Sequence, residues 1–270
     1  MPDYPPGTPS WVDLASPDPD ASAAFYKELF GWETELGENP EETGGYRRFT
    51  LNGKSVGGLM PLMNEGQPPA WSTYVSVDDA EETMGKVKDA GGQPMIEPMD
   101  VMDLGRMAFF IGPTGAACGL WQPGQHRGAE VVNRVGALGW DELHTRDPDT
   151  AKEFYSAVFG WEPETFDMGD GEYTRWHLGD RIIGGMMEIG ENWPAEVPSN
   201  WAVYFNVEDA DETVSKAEAA GGKLMEGPRD IPELGRFAFV SDPHGAPFAI
   251  IALLPEARER NEKIAAEIGA

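Results

Sequence analysis

The sequence predicts an α+β protein built from two tandem copies of one domain, and three observations carry that expectation. First, 270 residues exceed the roughly 100–200 of one ordinary domain. Second, the chain repeats itself. Pro17-Asp18-Pro19-Asp20-Ala21-Ser22-Ala23-Ala24-Phe25-Tyr26-Lys27-Glu28-Leu29-Phe30-Gly31-Trp32 returns as residues 146–161, ending Phe154-Tyr155-Ser156-Ala157-Val158-Phe159-Gly160-Trp161, 129 positions later. Third, short runs that look like strands outnumber helical patterns within each copy.

The offset holds between 127 and 130 along the chain, so insertions between the copies are small. Gly57-Gly58 returns as Gly184-Gly185, and Trp71 with Asp79-Ala80 as Trp201 with Asp209-Ala210. Leu104-Gly105-Arg106 returns as Leu234-Gly235-Arg236, and Gly112-Pro113-Thr114-Gly115 as Asp242-Pro243-His244-Gly245. The expected domains are residues 8–125 and 137–254, joined through the Pro/Gly/polar run from Gln122 to Val135. A charged tail, 255–270, reads as a short helix of Ala, Glu, Arg and Lys.

In chain order the first copy opens with a strand, Trp11–Ala15. Asp18 caps a helix with Pro19 in its first position, Ala21, Phe25 and Leu29 share a helical face, and Gly31 ends it. Strands follow at Tyr46–Leu51, Ser55–Leu62 and Trp71–Val77. A second helix starts near Asp78, carries Ala80, Met84 and Val87, and stops at Gly91-Gly92. Strands at Arg106–Ile111 and Ala116–Trp121 close the copy. Each half therefore reads as strand, helix and three strands, twice over.

Composition narrows the function. Forty-seven acidic against 20 basic side chains leave a net charge of −27, which repels phosphate backbones and anionic headgroups and argues against nucleic-acid or membrane partners. Apolar stretches fall short of the roughly 20 residues of a membrane span, and the N-terminus lacks a signal-peptide pattern. Cys118 is the sole cysteine, which excludes intrachain disulfides and cysteine zinc sites. The expectation is an acidic cytoplasmic protein, monomeric or homodimeric, with a small-molecule ligand.

The Phe-Tyr-x-x-x-Phe-Gly-Trp helix end, the Asp-Ala helix start, the Ala-Gly-Gly stop and the Asp-Pro-x-Gly turn carry a resemblance. The sequence resembles the vicinal oxygen chelate superfamily of glyoxalase I, bleomycin-resistance proteins and extradiol dioxygenases, and within it the tandem glyoxalase-like proteins. The resemblance implies paired βαβββ modules in each half, whose eight strands curl into a mixed cup-shaped sheet around a small-molecule cavity. It also implies a divalent metal held by His, Gln or Glu, acting as a Lewis acid. Carried over position by position, those ligands fall on Trp11 and Trp140, on Ser72 and Ala202, on Gly119 and Ala249, and in the Gly57-Gly58 and Gly184-Gly185 regions. None supplies imidazole or carboxylate. The expectation is therefore no resident cofactor and no metal ligands at these positions, with an atypical divalent metal site left open.

Alternation along the strands points to other chemistry. Residues two apart share a face, so Trp140, Glu142 and His144 line the cup together, as do Tyr173, Arg175 and His177. Glu142 and His144 are the candidate acid/base pair, with Tyr173, Arg175, His177 and Trp140 as ligand contacts. A two-His-one-carboxylate set of Glu142, His144 and His177 is a further reading. So is a plain Glu142–Arg175 ion pair across strands. The first half offers Asp13, Tyr46, Arg48 and Trp11 at matching positions, with Ala15 in place of His144. His126 falls in the linker, and Arg106 and Arg236 read as strand anchors. Two functions remain: a glyoxalase-like enzyme using acid/base chemistry in the C-terminal half, or a non-catalytic protein sequestering an antibiotic or metabolite. The negative charge draws cationic ligands, which suits the second.

Overall fold

Two eight-stranded mixed sheets, one per copy, build the molecule in the computed structural model, which describes residues 2–37, 41, 43–169, 171–190 and 193–270. The first copy runs β1 (Pro9–Ser16), α1 (Pro19–Phe30), β2 (Glu33–Leu36), β3 (Arg47–Leu51), β4 (Lys54–Pro61), β5 (Ala70–Ser76), α2 (Ala80–Asp89), β6 (Gln93–Val101), β7 (Gly105–Ile111) and β8 (Ala117–Pro123). The second repeats it as β9 (Leu138–Thr145), α3 (Pro148–Phe159), β10 (Glu162–Asp167), β11 (Glu172–Leu178), β12 (Arg181–Glu188), β13 (Asn200–Asn206), α4 (Ala210–Ala219), β14 (Lys223–Ile231), β15 (Gly235–Ser241) and β16 (Pro247–Leu253). The tail is helix α5 (Pro255–Glu267). Strand order is β2-β3-β4-β1-β5-β8-β7-β6, and the second sheet has the same order. Thus β1 pairs parallel to β4 and antiparallel to β5, which joins the two βαβββ modules at the sheet centre.

Local chemistry sets the helices. The Asp18 carboxylate accepts from the Ala21 N–H at 3.0 Å, Pro19 needs no donor partner, and Gly31 closes α1 at φ 73°. Asp147, Asp79 and Asp209 cap α3, α2 and α4 in the same way. One expectation for α1 is corrected. Ala21 is exposed, and Ser22 takes the buried face, paired with Ser16 at 2.7 Å between hydroxyls. The strands β2 and β6, with their copies β10 and β14, escaped the sequence reading. They are edge strands, largely exposed, so they lack the alternation that marks a half-buried strand. Arg106 and Arg236 do anchor strands, bridging Glu81 and Asp100 in one half and Asp211 and Asp230 in the other.

The helices cover one face of each sheet, and these faces pack against each other. The cores cross between copies. Phe25, Tyr26 and Phe30 of α1 pack with Phe205, Val214 and Phe248 of the second half. Met84 and Val87 of α2, with Phe110 of β7, pack with Phe154, Tyr155 and Val158 of α3. Two indoles bolt the halves reciprocally. Trp32 Nε1 donates to the Gly136 carbonyl at 2.6 Å, and Trp161 Nε1 to the Gly7 carbonyl at 2.7 Å. Gly7 and Gly136 have φ of 87° and 77°, the left-handed region that favours glycine. The seam also holds a carboxyl: Thr73 of β5 donates its hydroxyl to Asp141 of β9 at 2.6 Å. Among the described residues no helix is long and apolar enough to cross a membrane.

Candidate active site

The opposite, concave face of each sheet carries the polar residues. In the second half β9 points Trp140, Glu142 and His144 inward, while Asp141 and Leu143 go to the seam. Glu142 is the hub. It meets His144 Nε2 at 2.9 Å through Oε1, and accepts from the Tyr204 hydroxyl at 2.7 Å and the Tyr173 hydroxyl at 2.8 Å. Trp140 Nε1 donates to Tyr173 at 3.2 Å. Glu142 is 5% exposed and His144 2%, so the pair lies beneath the cup surface rather than open on it. Burial alone would raise the Glu142 carboxyl. The hydrogen bond and charge of His144, with the two tyrosine hydroxyls, outweigh it and hold the group below the usual carboxylate range. His144 sits between Trp193 and Phe239, with ring centroids at 5.4 and 5.6 Å.

The first half repeats this without the histidine. Trp11 Nε1 donates to the Tyr46 hydroxyl at 2.9 Å, and Tyr74 hydrogen-bonds Asp13. Asp13 is 4% exposed. Burial pushes its carboxyl to about 7, with only Tyr74 acting against that. Tyr46 and Tyr74 are raised well above 10, chiefly by burial and then by Asp13, so both keep their protons. Arg48 reaches Glu35 at 2.9 Å on the outer strands.

Three sequence expectations are corrected by geometry. His177 does not join Glu142 and His144: the strand register sets Tyr173 in line with His144 through Met187 and Arg175 in line with Glu142 through Gly185, so His177 lies farther along and pairs with Glu164 of the edge strand at 3.0 Å. Arg175 makes no ion pair with Glu142 and lies 4.7 Å over the Phe166 ring. His126 is more than linker. Its ring packs edge-on against Trp11 at 4.5 Å and Trp121 at 5.4 Å, and burial lowers it to about 4, so it is neutral near pH 7. Sequence reasoning also missed Tyr74 and Tyr204. Both stand two residues after the positions examined for metal, Ser72 and Ala202, on the same strand face, so the period-2 rule contained them. His126 and Trp193 left no local signal, because loop packing brings them in.

The glycine pairs have a spatial purpose. A Cβ at Gly185 would collide with the Tyr173 hydroxyl, and one at Gly58 with the Tyr46 hydroxyl. Gly185→Ala should displace Tyr173 from Glu142 and destabilise the fold by about 1–3 kcal/mol, read as a lowered urea midpoint. An unchanged midpoint would remove this account of the glycine.

The residues of the cups do not fit the divalent metal that the resemblance implies. Indole and phenol groups fill the space where ligands would converge, and among the described residues no three His, Cys, Asp or Glu side chains come together. A cavity of about 340 Å³ lies elsewhere, between the N-terminal arm and the linker, lined by Asp3, Tyr4, Ser76, Asp78 and Arg127.

Comparison with known proteins follows the same outline. Residues 8–118 and 134–250 each match the model described as Glyoxalase/Bleomycin resistance protein/Dioxygenase superfamily. The chain is 45% identical over 260 residues to the "Putative glyoxylase CFP32" of Mycobacterium bovis, covering 94% of this chain and 98% of that protein. It is 39% identical over 264 residues to the "Anthracycline biosynthesis protein DnrV" of Streptomyces peucetius, covering 93% and 94%. Among solved structures, the Mn(II)-bound glyoxalase from Novosphingobium aromaticivorans superposes with a TM-score of 0.64 at 16% identity, covering 92% of this chain and 83% of that one. The 2,3-dioxygenase LapB from Pseudomonas sp. KL28 gives 0.63 at 13%, covering 90% and 91%. At those identities the structures share the fold alone.

Proposed function

The chain belongs to the Glyoxalase/Bleomycin resistance protein/Dioxygenase superfamily, and we propose that it is an enzyme of the glyoxalase-like type working by acid/base chemistry, not through the family's metal. The observation that carries this reading is the buried Glu142–His144 pair, at 2.9 Å and clamped by two phenols. A carboxylate held ionised beside an imidazole orients the ring and compensates its positive charge when it takes a proton. His144 is the group that moves the substrate proton, Glu142 its partner, and Tyr173 and Trp140 form the wall toward the ligand. Arg175 and His177, on the same strand but farther out, form the rim. Proton transfer beside a carbonyl of a flat, oxygen-rich molecule suits that arrangement. The curated relatives named for glyoxylase activity and for anthracycline biosynthesis support a small organic substrate.

The test compares wild type with Glu142→Gln and His144→Ala. The substrates are the hemithioacetal of methylglyoxal and a hydroxyanthraquinone. Each variant should lose on the order of 10²–10⁴ in turnover and still bind. Sequestration is the outcome if wild type binds the hydroxyanthraquinone, converts neither compound, and both variants bind as well. Elemental analysis of protein purified without chelator tests the metal: stoichiometric divalent metal would overturn the metal-independent reading.

A further inference from the structure

The cavity of about 340 Å³ between the N-terminal arm and the linker lies apart from both cups and from the Glu142–His144 chemistry. Its size falls in the range of roughly 300–1,000 Å³ usual for small-molecule sites, and its walls are held in place. The Tyr4 hydroxyl donates to the Ala129 carbonyl at 2.7 Å, the Gly7 N–H to the Ser76 carbonyl at 2.7 Å, and the Ser76 N–H to the Thr8 carbonyl at 2.8 Å. Pro5, Pro6, Val77 and Pro123 supply apolar wall. Two charged groups of the lining are weakly committed. Arg127 meets only Asp3, at 3.6 Å, and both side chains are well exposed. The Asp78 carboxylate, at the turn between β5 and α2, has no hydrogen-bond or ion-pair partner among the described residues, whereas Asp79 beside it caps the helix.

The second half shows which group such a carboxylate takes. Ser76 lies across from Trp121 in the first sheet as Asn206 does from Ile251 in the second, so Glu208 is the counterpart of Asp78. There the chain continues past its last strand as α5, and Arg258 sets its guanidinium on Glu208, with Nη1 to Oε1 at 3.1 Å and Nη2 to Oε2 at 2.9 Å. That crevice, lined by Asn206, Val207, Leu253 and Arg258 among others, has no room for a water molecule. In the first half the chain leaves Pro123 as the linker. Among the described residues no arginine pairs with Asp78 there, and the crevice stays open. We propose that this open crevice is a second ligand site, taking a small guanidino acid such as arginine, with its guanidinium on Asp78 and its carboxylate on Arg127. A planar guanidinium meets a carboxylate through two parallel hydrogen bonds, as Arg258 meets Glu208. Arg127 offers the same fork to the carboxylate of the ligand.

Arginine is the probe and citrulline, with an uncharged urea in place of the guanidinium, its isostere. Both are titrated by NMR at low ionic strength, about 0.05 M. Asp78 faces solvent, so its charge is worth a modest factor. Wild type should bind one arginine at least about threefold more tightly than citrulline, with amide shifts centred on Ser76, Val77, Asp78 and Arg127. Asp78→Asn should bring arginine down to the affinity of citrulline. Arg127→Gln should weaken both by about threefold or more and keep the preference between them. Both side chains are exposed, and an unchanged urea midpoint checks that each variant is folded. None of these readouts needs turnover, so they stand apart from the test of the enzyme reading. The proposal fails if the two compounds bind wild type equally, or if the shifts centre on either cup. It also fails if folded Asp78→Asn keeps the preference for arginine, or if folded Arg127→Gln binds both compounds like wild type.

Discussion

Trp32→Ala should unfold both halves together and destabilise the protein by about 3–5 kcal/mol. The indole lies 4.8 Å from Phe30 and 4.9 Å from Phe49 in its own half, and 5.2 Å from Phe205 in the other, all between ring centroids. It is fully buried. Truncation therefore opens a cavity shared by both copies, and no neighbour can fill it without moving the seam. The Gly136 carbonyl also loses its 2.6 Å donor, and a buried acceptor left unpaired adds about 1–3 kcal/mol. Trp161→Ala should act alike through Gly7, whereas Trp32→Phe keeps much of the packing and should cost less. The measurement is urea unfolding by circular dichroism with hydrogen exchange on strands of the opposite half. If β13 and β16 keep their protection in Trp32→Ala, the halves are not one cooperative unit and the account of the seam is wrong.

Asp141→Asn should flatten the pH dependence of stability. Asp141 is 3% exposed, and its one side-chain hydrogen bond comes from Thr73 across the seam. Burial raises its carboxyl to about 7 from its ordinary value of 3.8, outweighing Thr73. Tyr4 and Cys118 face it as well, and both are raised far from neutrality. Between pH ~4 and ~7 the unfolded chain releases this proton while the folded protein keeps it. The native state thus binds more protons, and stability falls as pH rises. At about 1.4 kcal/mol per pH unit, the loss over those roughly three units is at most about 4 kcal/mol, and the contribution is flat above 7. Asparagine keeps an acceptor for Thr73 and cannot ionise. The variant should therefore lose less stability than wild type between pH 5 and pH 8 in urea titrations. Parallel curves for the two proteins over that interval would dispose of the argument. Asp13, also at about 7, adds a similar slope that the Asp141 variant leaves in place.

Much of this was legible in the chain. The caps at Asp18 and Asp147, the Gly31 and Gly160 ends and the alternation of Trp140, Glu142 and His144 are local patterns, and local geometry obeys them. The edge strands β6 and β14 were not legible, because solvent-exposed strands with one pairing partner need no apolar period. His177 was read onto the right face. The strand register, which no local pattern announces, sets Arg175 rather than His177 in line with Glu142 and leaves His177 beside Glu164 of the edge strand. Tyr74 and Tyr204 were readable and overlooked.

The sequence by itself determined the α+β class, the two copies and the acid at the centre of each cup, since these follow from repetition and strand period. Only the tertiary structure decided that each core is shared between copies, that His126 of the linker closes on Trp11, and that the Asp13 carboxyl is pushed up while that of Glu142 is held down. Those outcomes depend on which distant groups surround a side chain once water is gone. Desolvation and the nearest charge set a carboxyl's state, and neither is written in its immediate neighbours along the chain.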